Sequence, residues 1–594
     1  MTYEILNICG QGLFFQLDRF RLIYCCIALL MWSVSLLFSK EYFAHSSHKA
    51  RYYGFMILTM FATLGVFLAA DLFTLFIFFE IMSLSSYVWV AQEETEEALR
   101  AGVTYLAVAV IGGMVLLMGL FLFYDAVKTL RIDELSAAVQ AVWSEKSTQI
   151  YTAGFLMLFG FGAKAGMFPM HFWLPKAHPV APATASALLS GILTKCGVFG
   201  ILILTSEVFV HDTVWGSVIL ILGTITMVTG AVLAVFSVNI KRTLACSSVS
   251  QIGFILIGVG MQCFLGEENA MAVNGTVFHM INHSLIKLLL FNLAGVVYMN
   301  LHALDFNTVR GFGRKKPFLA ICFLMGALGI GGVPLWNGYV SKTLLHEAIV
   351  EYITHLTHLG QSAVLFQVLE WIFLFSGGLT VAYMLKLFVC LFIEKNPTKQ
   401  ESYDEKKDYM SLLSKIVLGL PALLLPILGF QVQYFTWTNL KGSFISIGIG
   451  ILVYVFVIRK LLIKHGNYVD LWPKKLDIEA IFTKLVYAVL ALLGGMSKIM
   501  DGFLLEWCTT EQLLKLLNGL MKLPEQLPEK VTGFLKRTVY KETTDRPALE
   551  LVNRLHVQYD RKVDTIRLIG SSLSFGLLLA CVGLIITMIY LLIH

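Results

Sequence analysis

Apolar residues run along this chain in blocks of about twenty, separated by short polar or charged stretches, and the blocks recur from Leu22 nearly to the last residue. Each block has the length that crosses a hydrocarbon core of about 30 Å as a helix. Read between polar breaks, they predict spans at Leu22–Phe38, Gly54–Ala70, Leu72–Val90, Ala101–Tyr124, Tyr151–Leu174 and Ala181–Thr205, and, after a break at Ser206–Val214, at Trp215–Val238, Leu244–Cys263, Thr276–Met299, Phe318–Tyr352, Leu365–Ile393, Ser411–Phe430, Phe444–Val457 and Ile566–Leu592. The tenth block is long enough for two helices. Its centre, Gly329 to Pro334, is rich in Gly and Pro, and a single span with an interrupted backbone explains it equally well.

Charge placement separates the two counts, because short cytoplasmic loops collect Lys and Arg. With one interrupted span, the loops after odd-numbered spans hold roughly 20 Lys and Arg, against roughly 6 on the other side. This asymmetry puts the N-terminus outside and Arg310–Lys316, Lys395–Lys407 and Arg459–Lys475 in the cytoplasm; two spans at the tenth block would invert everything that follows. Between Leu476 and Val557 the chain mixes apolar clusters with charges. Ile478, Ile481, Leu485, Ala488, Val489 and Leu492 follow helical spacing suited to a membrane or protein flank, with Pro524, Pro528 and Pro547 as hinges. The expected organisation is a leader and first span (1–53), two sets of five spans (54–205 and 215–394), further spans (395–475), an amphipathic lateral segment (476–557) and a final anchor helix (566–594). The fold class is an all-α polytopic membrane protein of about fourteen transmembrane helices.

Composition narrows the chemistry. Of 594 residues, 57% are hydrophobic and 14% charged, so a soluble domain or a singly anchored one is excluded. Ten cysteines lie scattered without a CxxC pair or a Cys/His cluster, so iron–sulfur, zinc and disulfide scaffolds are not expected and the chain should hold no cofactor of its own. The net charge of +6 says less than the placement of the basic residues; lipid is the expected surroundings, and no nucleic-acid partner is expected. The first 20 residues lack the pattern of a cleavable signal.

An ionisable side chain in the middle of an apolar span is costly unless paired or hydrated, which makes each one a functional candidate. Glu80 lies in LFTLFIFFEIMSLSSY, Lys164 in LFGFGAKAGMFPMHFWLP, Lys195 in LLSGILTKCGVFGI and Lys342 in GVPLWNGYVSKTLL. His279, His283 and Lys287 stand four apart in FHMINHSLIKLLLF, one face of a helix over roughly 12 Å. Gly162, Gly166 and Pro169 beside Lys164, and Gly332, Pro334 and Gly338 beside Lys342, would interrupt the helices and free backbone groups to bind water. A carboxylate moving toward or away from a buried lysine loads or releases a proton, and imidazoles bridge lysines too far apart for direct transfer. A structural histidine or a lysine snorkelling to the surface is the competing account, strongest for Lys342 and Lys386. His171, His178, His346, His355 and His358 read as solvated or capping residues near ends and loops, Glu93–Glu97 as a solvated loop, and Asp71 as a cap.

The segments DLFTLFIFFEIMSLSSY, AKAGMFPMHFWLPKAHPVAPATASALLSGILTKCGVFGI and GGVPLWNGYVSK resemble signature segments of the antiporter-like subunits: the large membrane subunits of complex I, the Mrp-type sodium/proton antiporters and the membrane arms of energy-converting hydrogenases. The resemblance runs from about Leu17 to Phe430. It implies two inverted five-helix repeats, each with a broken fourth helix, matching spans 2–6 and 7–11. It further implies that Glu80 and Lys164 form the ion pair of a first half-channel, that Lys195 bridges, that His279, His283 and Lys287 make the central relay, and that Lys342 is the exit lysine. The tail resembles the lateral helix of the distal complex I subunit, while the family's usual two additional N-terminal helices have no counterpart here. The function so implied is proton or sodium translocation in a complex I-related oxidoreductase or energy-converting hydrogenase of a prokaryotic plasma membrane, alongside further antiporter-like subunits and peripheral redox subunits that carry iron–sulfur clusters. An Mrp-type antiporter subunit is the alternative, and a structural subunit with a decayed channel a third reading, opposed by the intact set of charges.

Overall fold

The computed structural model describes residues 2–5, 12–44, 48–265 and 270–472. The amphipathic lateral segment and the span at Ile566–Leu592 lie outside the described residues. A short hairpin, β1 (Thr2–Ile5) with β2 (Leu13–Gln16), is followed by α1 (Arg19–Tyr42), α2 (Lys49–Leu68), α3 (Leu72–Val90), α4 (Glu96–Val127), α5 (Leu135–Ala165), the short α6 (Leu174–Val180) and α7 (Ala183–Val208). Then come α8 (Thr213–Phe236), α9 (Ile240–Met261), α10 (Met271–Leu301), α11 (Pro317–Gly331), α12 (Asn337–His358), α13 (Val364–Ile393), α14 (Leu412–Gly429) and α15 (Trp437–Leu461). Among the described residues, twelve helical stretches are long and apolar enough to cross a membrane, and the pair α11 and α12 supplies the interrupted span read from the sequence.

Helix starts are fixed by side chains that accept from the N–H three residues on: Asp18, Asp71, Thr95, Asp212 and Asn239. Asp71 accepts from Thr74 N at 2.8 Å and also from the Thr74 hydroxyl, which in turn accepts from Phe14 N at 2.9 Å, so this cap ties the hairpin to α3. Asp71→Ala should therefore lower the thermal stability of the detergent-solubilised protein by about 1–2 kcal/mol, read as a lower midpoint in a thiol-dye melt. An unchanged midpoint would show that the cap is redundant.

Two interruptions share one design. α5 ends at Gly166 (φ +80°), where Met167 N donates to Gly162 O at 2.9 Å; α11 ends at Gly332 (φ +70°), where Val333 N donates to Leu328 O at 3.1 Å. A glycine in the left-handed region with that back-bond closes a helix and leaves the chain free to turn. Not every Gly and Pro expected to interrupt does so. Gly162 stays helical and serves as the cap's acceptor, and Gly338 lies in the first turn of α12, where a Cβ would fall 1.8 Å from Gly329 O; it is small to let the two half-helices touch.

The two sets of five spans also carry matching fastenings. Asp71 bridges Arg131 through Leu72 N to Leu130 O (2.9 Å) and Ile132 N to Ala70 O (3.0 Å), and Asn239 bridges Asp305 through Ile240 N to Leu304 O (3.0 Å) and Phe306 N to Val238 O (3.0 Å). Each links the start of the second helix of its set to the connection between the third and the fourth. An odd number of crossings separates them, so they sit on opposite faces of the membrane, as inverted repeats require.

α9 is buried along nearly its whole length. A helix with no lipid-facing side normally reads apolar all round. This one carries Thr243, Ser247, Ser248, Ser250 and Gln251, so its polar groups must meet the helices packed on it.

Candidate functional site

Lys164, in the last turn of α5, donates to Tyr105 Oη on α4 at 2.6 Å, and Tyr105 Oη lies 2.5 Å from Ser86 Oγ on α3. Glu80 projects from the same α3. The expected direct ion pair is absent: Glu80 Oε1 has no hydrogen-bond partner, although Lys164 is the cation whose field acts on it. Lys164 bonds the Tyr105 hydroxyl instead. A cavity of about 10 Å³, room for one water, is lined by Ser83, Tyr105, Lys164 and Trp173. Glu80 does not line this cavity; its carboxylate lies against Gly113 of α4, where a Cβ would fall 2.4 Å from Oε1.

The end of α5 abuts α7 so closely that a Cβ on Gly197 would lie 2.3 Å from Phe161 O. This contact brings the turn of Lys164 beside that of Lys195. A π-helical turn over Leu189–Leu193 shifts the ladder just before Lys195, and the Ser190 carbonyl accepts from its Nζ at 2.7 Å. The same Nζ bonds His283 Nδ1 on α10, joining the first set of helices to the second.

His279, one turn from His283, bonds Gln251 Oε1 on α9 through Nε2 (2.9 Å) and Ser341 Oγ on α12 through Nδ1 (2.9 Å). Asn282 donates to Asn337 O at 2.8 Å and to Ser341 Oγ at 3.1 Å, while Asn337 Nδ2 donates to Asn282 Oδ1 at 3.0 Å. Lys342 follows Ser341 and donates to Ile330 O at 2.9 Å across the break. A cavity of about 40 Å³, space for a few waters, opens beside it, lined by Thr343, His346, Asn439 and Ser443. Lys287 takes a different partner set, Leu244 O (2.7 Å) and Ser247 Oγ on α9. It shares a helix face with the histidines without bonding to them.

Lys164, Lys195, Lys287 and Lys342 are all buried, as are His279 and His283. Their compensation comes mainly from carbonyls and hydroxyls. Two of them use the half-helices: Lys164 sits at the carboxyl end of α5, and Lys342 caps the carboxyl end of α11, where the helix dipole presents about half a negative charge.

Other residues depart from the sequence reading. Lys386 is fully buried and neither snorkels nor joins this line; it donates to Ala234 O (2.9 Å), Val235 O (2.8 Å) and Ser237 O (2.5 Å), capping α8. His171 and His178 are buried inside the bundle instead of solvated. His346 pairs with Glu370 at 3.1 Å, and His355 and His358 are exposed. Tyr105, Ser86, Gln251 and Ser341 escape a reading of the sequence, each being unremarkable alone; only the run of hydroxyl and amide residues through α9 hints at a polar face.

Residues 69–359 match the family described as NADH:quinone oxidoreductase/Mrp antiporter, TM. A Na(+)/H(+) antiporter subunit of Alkalihalophilus pseudofirmus is 27% identical over 71% of this chain and 81% of its own length. Hydrogenase-4 component B of Escherichia coli is 32% identical over 55% of this chain and 49% of its own, so this chain spans about half of that relative. The structure of the Mrp complex from Dietzia sp. DQ12-45-1b superposes with a TM-score of 0.69 at 23% identity, covering 88% of this chain and 57% of that one, a likeness of fold. A multi-pass bundle with paired broken helices, a buried run of lysines and histidines, and these relatives lead to one assignment: residues 69–359 of this chain belong to the antiporter-like family of membrane subunits.

Proposed function

We propose that this chain is an ion-translocating subunit of a multisubunit complex in a prokaryotic plasma membrane, with the N-terminus outside. The observation that supports the reading is a set of ionisable groups, the half-buried Glu80 and the buried Lys164, Lys195, His283, His279 and Lys342, in which Lys164 bonds Tyr105, Lys195 bonds His283, His279 bonds Gln251 and Ser341, and Lys342 bonds Ile330 O. Such a set accepts a proton at one end when it releases one at the other. Sodium can be moved by the same fold when carboxylates and hydrated breaks face a cation, so the ion is the first thing to measure.

Two kinds of host fit. A relative named as a hydrogenase component supports an oxidoreductase in which iron–sulfur clusters in partner subunits drive ion movement through this chain. A relative named as part of a Na(+)/H(+) antiporter, matched over most of its length, supports an Mrp-type assembly driven by an ion gradient. Purification in mild detergent decides. Copurifying subunits with iron–sulfur absorbance are expected for the first, and a cluster-free set of antiporter-like subunits for the second. A chain that purifies alone and moves no ion in vesicles would remove both.

A further inference from the structure

His178 lies in the last turn of α6, on the side of the bundle that carries the basic loops, yet it is 0% exposed and neither ring nitrogen has a hydrogen-bond partner. Burying two unmet polar atoms is costly, and packing alone gives no reason for an imidazole where a leucine would serve. Its ring stacks on Phe291 of α10 at 4.8 Å between centroids, and Lys287 Nζ lies 5.8 Å from the centre of that same ring. Lys287, Lys241 and Lys195 are the cations whose fields reach His178. Lys241, buried at the start of α9, donates to Ala181 O at 2.7 Å, just beyond His178, and stands 5.4 Å from the Tyr298 ring. The carboxylate acting on Lys241 is Glu93, exposed in the loop between α3 and α4 on the same face. Thus an exposed acid, a buried lysine, an unbonded imidazole and the lysine of the central helix succeed one another from the basic face inward.

We propose that His178 loads the central line with protons from the basic face, passing them from the Glu93 and Lys241 vestibule to Lys287 across the Phe291 ring. The proposal rests on the translocation reading and deepens it, because an imidazole hands on protons and not sodium. The neutral ring takes a proton from water on one nitrogen and becomes imidazolium. The other nitrogen gives its proton to the free amine that Lys287 presents after releasing its own, so one proton enters, one leaves, and the ring returns neutral.

The test uses the whole complex in everted vesicles, with proton uptake followed by a pH-gradient dye and driven by whichever source energises the wild type. His178→Gln should cut the rate at least about tenfold with the complex intact on native gels, and the residual rate should show a larger solvent isotope effect. In a Lys287→Met background the same change should add less than about a twofold loss, since both act on one transfer. A His178→Gln rate within about twofold of wild type, or a loss that adds fully to that of Lys287→Met, overturns the proposal. If His178→Gln does not assemble, Phe291→Leu decides, because it keeps the imidazole and removes the separating ring: an altered rate with a changed isotope effect supports the transfer from His178 to Lys287, and wild-type values for both overturn it. Lys164→Met vesicles that still translocate would instead defeat the translocation reading itself.

Discussion

Replacing Lys164 by Met should reduce ion movement by about a hundredfold or more while the complex stays assembled. Met keeps the unbranched length and most of the volume of the lysine stem, so the packing of α5 against α4 and α7 survives. Only the amine is lost, and Tyr105 retains Ser86 as a partner, which leaves no buried hydroxyl stranded. With the amine gone, Glu80 loses the cation whose field, among the described residues, acts on it, and the Ser86–Tyr105 hydroxyls have no amine to serve. Proton or sodium uptake in everted vesicles, scored against the amount of complex on native gels, measures the effect. Undiminished uptake would take this lysine out of the path.

Gly338→Ala should give the largest structural effect. The added methyl would sit 1.8 Å from Gly329 O, a backbone atom with no rotamer through which to retreat. The two halves of the broken span would have to separate, and with them Asn337 and Ser341, which hold Asn282 and His279. We expect a loss of at least about 3 kcal/mol, at the upper end for forced overpacking, and little chain recovered in the membrane by immunoblot. Gly360→Ala is the control. Nothing lies within 4 Å of its Cβ position, but its φ of +66° imposes a local strain that leaves the core untouched. Equal recovery of Gly338→Ala and wild type would show that the half-helices part more easily than their contact suggests.

The sequence discloses the lipid-facing lengths more faithfully than the helices. α3 matches its expected limits of Leu72 and Val90, because Asp71 caps it and the apolar block ends where the helix does. α1 continues past its expected limits into Arg19, Arg21, Lys40 and Glu41, and α5 begins at Leu135 within a polar stretch, since hydropathy reports the solvent and not the hydrogen-bond ladder. Lysines in apolar blocks are legible because each is expensive there. Their partners are not, since a tyrosine or serine in a membrane helix is ordinary until a neighbouring helix places an amine beside it. His178 misleads for the opposite reason: Pro179 and the short link after it suggest a surface loop, and it is the packing of α10 through Phe291 that buries the ring. The direct contact between Glu80 and Lys164 is an expectation of the family resemblance, and Lys164 bonds the phenol of Tyr105 instead.

The paired backbone fastenings bear on how such a chain is made. Asp71 with Arg131 closes within the first five-span set, and Asn239 with Asp305 within the second, so neither waits for strands of chain from the other. During synthesis the first set can be stitched together while the second is still in the ribosome.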